Sequence, residues 1–180
     1  MIILATDGDK LCNMAEDTIL HKKIVMDTCL LLSEYLMQHK KFELGTQILK
    51  RGCDHDNSKF DTEEFRKLSN ILKAESKEAF TNASIQLSPD ERKAIEYHWK
   101  HNRHHPEFFE NPSEEMGELD IMEMVCDWFA RSLQFGTDFI PFIMERQENR
   151  FKFTDKCFSK ILKYCYLIQN LYNEKHNIKK

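Results

Sequence analysis

The sequence predicts an all-α protein, a single helical bundle of five to seven helices over residues 1–180, for three reasons. Apolar residues recur mostly at helical spacing. Glycine and proline are scarce, at five and four residues. Explicit helix starts stand at Asp61-Thr62-Glu63-Glu64 and Ser88-Pro89-Asp90-Glu91, each pairing a capping side chain with a glutamate three residues on. Without repeats, low-complexity stretches or a linker, one domain is expected. Its motif-bearing core covers about residues 16–135, with a last helix over about 154–174 packed on it.

Taken in order, the first helix is expected from about Asn13 to Lys40, burying Ile24, Val25, Thr28, Leu31, Leu32, Tyr35 and Leu36, with His21 one turn earlier on that side. A second, about Phe42 to Cys53, ends at Gly52 and leads into Asp54-His55-Asp56. A helix C-terminus carries partial negative charge, which favours a cation there. The third opens at Asp61 and turns Phe65, Leu68 and Leu72 inward. The fourth, opened by Ser88, stops near Asn102 to His104 because Pro106 disfavours helix at His105. The fifth, about Glu114 to Phe135, is apolar on most sides, hence buried, and is closed by Gly136. The last runs from about Thr154 to Glu174 on a stripe of Phe158, Ile161, Leu162, Cys165, Ile168 and Leu171.

Composition excludes several classes. A formal charge of -4 gives no general attraction to nucleic acid or anionic lipid. No apolar run approaches the roughly 20 residues that span a bilayer. Met1-Ile2-Ile3-Leu4-Ala5 is too short for a signal peptide and lacks a basic start. Six cysteines lack any CxxC spacing, and Cys126 and Cys165 read as small hydrophobes, so a reduced, cytoplasmic setting is expected.

Chemistry concentrates in histidine. Four of the eight histidines fall within His98-Trp99-Lys100-His101-Asn102-Arg103-His104-His105, and neutral imidazole is the commonest ligand for transition metals. Further donors are His21, the pair His55-Asp56, and the carboxylates Asp120, Glu123 and Asp127. Asp127 lies in the most apolar helix, where a carboxylate must be paired, hydrogen-bonded or on a metal. Arg131, four residues on, offers an ion pair, so both readings stay open. His98, His101 and His105 share a face if the helix continues, and Ala94 one turn earlier would leave room for a ligand. His55-Asp56 fits either turn chemistry or an ion. His39 and His176 read as surface residues.

The order His21, His55-Asp56, histidine-rich segment, Asp127 resembles the HD superfamily of metal-dependent phosphohydrolases. His55-Asp56-Asn57-Ser58-Lys59-Phe60 matches its HDxxK variant, and more narrowly the HDxSKF segment of an HD-like family of bacteria and viruses. That family also carries motifs of the form HxxxNxHHPE and EMxxDW. Here they are represented by His98, Asn102, His104, His105, Pro106 and Glu107, then by Glu123-Met124-Val125-Cys126-Asp127-Trp128.

The resemblance implies one ion on His21, His55, Asp56 and Asp127, and a second on some of His98, His104 and His105, with Asp56 bridging. Asp120 competes with Asp127 for the final position. One or two divalent transition ions are expected, with Mn, Fe, Co, Ni and Zn all compatible with mixed N and O donors. The implied activity is hydrolysis of a phosphate ester such as a nucleotide by metal-activated water. Lys59 and Arg103 would face the phosphate, with Asn102 and His101 beside the substrate, and Asp120, Glu107 or a free histidine would carry the proton. Two rivals share the ligand set: a non-catalytic helical module that binds metal or nucleotide, and a diiron oxygenase.

Overall fold

Helical periodicity becomes helix throughout a computed structural model that describes residues 7–61, 64, 68 and 89–178. A 32-residue α1 (Asp7–Gln38) turns at Lys40 into α2 (Phe42–Asp54). A 3-10 turn (Asn57–Phe60) follows, then α3 (Pro89–His101), a 3-10 turn (Pro106–Phe108) and the single-turn α4 (Pro112–Glu115). The chain continues with α5 (Glu118–Phe135), α6 (Phe139–Arg146), a π-helical turn (Gln147–Phe151) and α7 (Asp155–Lys175). The class is all-α, and no strand occurs among the described residues.

The hydrophobic side chains of α5 place it at the centre. Every residue from Asp120 to Ala130 is buried. Val25, Cys29, Leu32 and Leu36 of α1 pack around it, with Ile48 of α2 and Cys157, Ile161, Tyr164, Cys165 and Ile168 of α7. Each fully buried aliphatic side chain contributes about 1.5–3 kcal/mol. The closest approach of α1 and α2 depends on Gly52, where a Cβ would stand 2.6 Å from that of Cys29. α3 contributes none of the main core's buried residues. Its Ala94 packs with Met14 and Leu68 in a small separate cluster. Ala94 is therefore a packing residue and not the ligand clearance expected of it.

Several boundaries differ from expectation. α1 is already helical at Asp7, the first described residue, ahead of the start expected near Asn13. The helix expected from Glu114 is broken at Met116–Gly117, because Gly117 is extended (φ −70, ψ 167) and donates its N–H to Asp120 (3.1 Å), which restarts the helix. α6 and the π-helical turn were not anticipated. Pro141 sits in the first turn of α6, where proline costs no internal hydrogen bond. Of the helix expected from Asp61, Glu64 and Leu68 are helical and buried, while Phe65 and Leu72 lie outside the described residues, as do Ser88 and the opening Met1 to Ala5. Gly136 closes α5 in the left-handed region (φ 60), and Thr154 caps α7 by accepting from the Cys157 N–H. Among the described residues no helix is long and apolar enough to cross a membrane.

Candidate metal centre

Two residues after α2 ends, the backbone reverses. His55 leaves the helix (φ −50, ψ 131) and Asp56 is left-handed (φ 55, ψ 20), a conformation that aspartate tolerates better than most residues. Lys22 of α1 stabilises this turn, its Nζ donating to the carbonyls of Cys53 (3.1 Å) and His55 (2.5 Å) and to Asn57 Oδ1 (2.8 Å). The reversal lets His55 and Asp56, adjacent in sequence, face one space.

His21 of α1 and Asp127 of α5 enter the same space. His21 Nε2 lies 2.9 Å from Asp127 Oδ1 and 3.9 Å from Asp56 Oδ2. His55 Nε2 lies 3.5 Å from Asp56 Oδ2 and 3.9 Å from Asp127 Oδ1. With metal–ligand bonds of about 2.0–2.2 Å, two donors on one ion stand at most about 4.4 Å apart. Each of these four separations is within that limit, and His21, His55 and Asp127 make one candidate ligand set with Asp56 beside it. Arg131 is not the partner of Asp127. It pairs instead with Asp17 (3.5 Å) and Gln134 (3.1 Å).

A second group forms where α3 ends. The Asn102 side chain donates to the His98 carbonyl (2.8 Å) and to Ser58 Oγ (3.1 Å), and the His105 N–H closes a turn on the Asn102 carbonyl (3.0 Å). This folds His104 and His105 back toward His98. Asp56 Oδ1 lies 3.2 Å from His98 Nε2 and 3.6 Å from His104 Nε2, while His105 Nε2 stands 3.0 Å from His98 Nε2. Asp56 thus presents Oδ2 to the first group and Oδ1 to the second.

The outward ring nitrogens are tied down. His21 Nδ1 meets Gln134 Oε1 (2.9 Å), His55 Nδ1 meets Glu123 Oε1 (3.1 Å), His98 Nδ1 meets Glu64 Oε1 (2.7 Å) and His104 Nδ1 lies 3.3 Å from Glu123 Oε1. Such bonds leave Nε2 as the nitrogen with the free lone pair. Accordingly, the Nε2 atoms of His21, His55 and His104, with Asp56 Oδ1, are buried and find no hydrogen-bond partner of acceptable geometry. Leaving such atoms unpaired is costly, on the order of 1–3 kcal/mol each. Their convergence on one space is the arrangement a cation satisfies. These buried nitrogen and oxygen donors could hold a metal ion.

Electrostatics prepares the donors. Burial opposes ionisation of Asp56, but His55, Lys59 and His98 outweigh it and hold the carboxyl well below its ordinary range. Burial likewise opposes ionisation of Asp127, and His21, His55 and His104 overcome it. Burial and then Arg131 bring His21 down to about 4, and burial, His104 and His98 hold His105 well below its usual value. His104 moves the other way, since Glu123, Asp56 and Asp127 outweigh the effect of burial. Near neutral pH the site therefore holds anionic carboxylates together with neutral His21 and His105, their ligand forms.

Other expected site residues lie elsewhere. His101 is exposed, stacked on Tyr97 and bonded to its carbonyl (2.7 Å). Arg103 is exposed and pairs with Asp120 (3.0 Å), which also holds Arg51 (3.0 Å). Those bonds occupy Asp120 away from the imidazoles, and Glu107 is engaged by Arg150. Lys59 does reach the site, its Nζ 2.5 Å from Asp56 Oδ2. His39 and His176 are exposed and stack on Tyr35 and Tyr172. Glu64, expected only as a capping residue, is a buried partner of His98. Glu123 has a larger role than its sequence reading as one more carboxylate. A signal existed: it lies one turn before Asp127 in the same apolar helix, where the cost of burying a carboxylate applies equally.

A family model described as a family of unknown function (DUF5662) matches residues 11–167. The chain belongs to that family, and the match covers every residue of both histidine groups. No curated protein and no solved structure matches the chain.

Proposed function

Because membership of that family brings no activity with it, we propose from the site itself that the chain is an HD-type, metal-dependent phosphohydrolase acting on a phosphate ester, a nucleotide being the leading class. The observation that carries this reading is the shared carboxylate: Asp56 turns one oxygen toward His21 and His55, which group with Asp127, and the other toward His98 and His104. We call these the first and second half-sites. Together they would hold one or two divalent ions, which supply Lewis-acid polarisation of a phosphoryl oxygen and a lowered pKa for water.

The chain's own side chains complete the chemistry. Asp56, Asp127 and Glu123 keep the site anionic and so draw cations into a buried space. Lys59, with a side chain 12% exposed, is the cation nearest the shared carboxylate and the residue positioned to balance phosphate charge. Arg103 serves that role only by giving up Asp120. His105 is less buried than His98 and His104, so the second half-site is the side from which a substrate would approach.

The test begins with metal analysis of protein purified without chelator. Phosphate release from a panel of nucleotides and simple phosphate esters is then measured with Mn, Fe, Co, Ni or Zn. The expected result is bound metal and chelator-sensitive release, both lost in Asp56→Ala. Protein without metal whose metal content is unchanged by Asp56→Ala would sink the reading. Metal without turnover on any ester would leave a binding module, and an oxygen-dependent spectral change after anaerobic reduction would favour oxygenase chemistry.

A further inference from the structure

We infer that Glu123 couples the two half-sites, so that they take up metal as a pair instead of independently. The inference rests on the metal-centre reading above and goes beyond it by assigning the coupling to one positioning residue. Glu123 is buried on α5, 3% exposed. Its Oε1 lies 3.1 Å from His55 Nδ1 and 3.3 Å from His104 Nδ1. Those two rings stand 4.3 Å apart, centroid to centroid, and belong to different half-sites.

The other outward partners differ. Gln134 holds His21, and Glu64 holds His98, each within a single half-site. Glu123 is shared. Its second oxygen is fixed by Arg51 Nη1 (2.8 Å), whose Nη2 is in turn held by Asp120 Oδ1 (3.0 Å). The carboxylate therefore has little freedom to follow one ring without affecting the other. The same atoms could be read as a third metal cluster, since Glu123 and the two Nδ1 atoms lie close enough. The ring geometry argues against that, because both rings turn Nδ1 to Glu123 Oε1 while their buried Nε2 atoms are the ones left without a hydrogen-bond partner.

The physical consequence is linkage. An ion that locks the His55 ring also locks Glu123 Oε1 at the position from which it orients His104, and the reverse must hold by the same factor. Two ions would then bind cooperatively without touching one another.

The experiment titrates the chelator-stripped full chain with Co²⁺ alone, following visible absorption for ligation and calorimetry for stoichiometry. Wild type should take up two ions with positive cooperativity. Glu123→Gln should weaken both ions by roughly 10- to 100-fold and abolish cooperativity, whereas Glu64→Gln should weaken only one. A circular-dichroism melt checks that each variant folds. If Glu123→Gln does not fold, His98→Ala and His104→Ala replace it. Both remove a second half-site ligand, but only His104→Ala also removes a partner of Glu123. The ion left in the first half-site should then bind about fivefold or more weakly in His104→Ala than in His98→Ala. Equal affinities in that pair, a single-ion effect of Glu123→Gln, or a wild type that takes up one ion would each overturn the inference while leaving a metal centre in place. No Co²⁺ uptake at all would instead bring down the metal-centre reading, and the inference with it.

Discussion

His21, His55 and Asp127 stand on or beside helices whose flanks fill the main core, whereas His98, His104 and His105 stand on α3 and the turn after it, which supply none of that core's buried residues. The first half-site is held by packing: Val25 and Cys29 on α1, Ile48 on α2 and nearly the whole of α5. The second is held by polar tethers, His98 to Glu64 and Asn102 to Ser58, beside a cluster of three buried side chains. A hydrogen bond contributes about 0.5–1.5 kcal/mol net, less than one well-buried aliphatic side chain. One side of the centre is thus preorganised by apolar packing, while the other is held, among the described residues, by polar tethers and a small cluster.

The largest effect that tests this contrast comes from paired ligand deletions. His21→Ala should lower metal affinity by more than about 100-fold, beyond the usual cost of losing an outer partner. It should also cost about 3 kcal/mol of stability, because it opens a cavity and takes from Asp127 its nearest imidazole. His98→Ala should match it in affinity loss. Although it takes from buried Glu64 its imidazole, it should cost about 1 kcal/mol less in global stability than His21→Ala, because α3 adds no buried side chain to the main core among the described residues. Calorimetry and urea unfolding measure the two quantities. Equal stability losses would erase the distinction between the half-sites.

Acid offers a second probe, of comparable size but spread over pH. His21 titrates at about 4 in the folded protein against about 6.5 unfolded, so between those values the unfolded chain binds a proton that the folded one refuses. Its contribution is present above pH 6.5 and is lost as pH falls toward 4, a shift worth about 3 kcal/mol. Asp56 and Asp127, also depressed, add losses as pH falls further, through their folded values. His104 has the opposite sign: its raised value stabilises the fold below pH 6.5, and that contribution is lost as pH rises through the folded value. Melting of metal-free protein from pH 7 to 4 should therefore show falling stability, more steeply in His104→Gln. A flat profile in both proteins would count against the buried, neutral state of His21.

The smallest effect belongs to a tether. Asn102→Ala removes bonds to Ser58 and to the His98 carbonyl. It should cost about 1 kcal/mol, felt as faster amide exchange over residues 89–108 and little change in α1 or α5. Uniform loss of protection across the molecule would show that α3 is more firmly built in than its contacts suggest.

Much of this was legible in the sequence, for reasons that also explain what was not. The long amphipathic helices declare themselves by spacing, and Gly136 marks an end by local chemistry. α6 is short and carries Pro141, so its period had little length in which to show. Helical spacing misled at the histidines, grouping His101 with His98 and His105. The chain turns at Asn102, which sends His101 outward and His104 inward. The pairing of His55 with Glu123 spans 68 residues and that of His98 with Glu64 spans 34, and no local pattern encodes either.

The tight crossing at Gly52 also sets a mechanical tolerance. The point where α1 and α2 are pressed together lies only three residues before His55, about 4.5 Å along the helix axis. Over so short a lever arm a 10° error in the angle between the helices would displace the His55 backbone by under about 1 Å. Had the crossing been placed at the far end of α2, the same error would have been several times larger at the ligand. A residue without a side chain, at that one step of the helix, converts coarse packing of two helices into fine placement of a ligand atom.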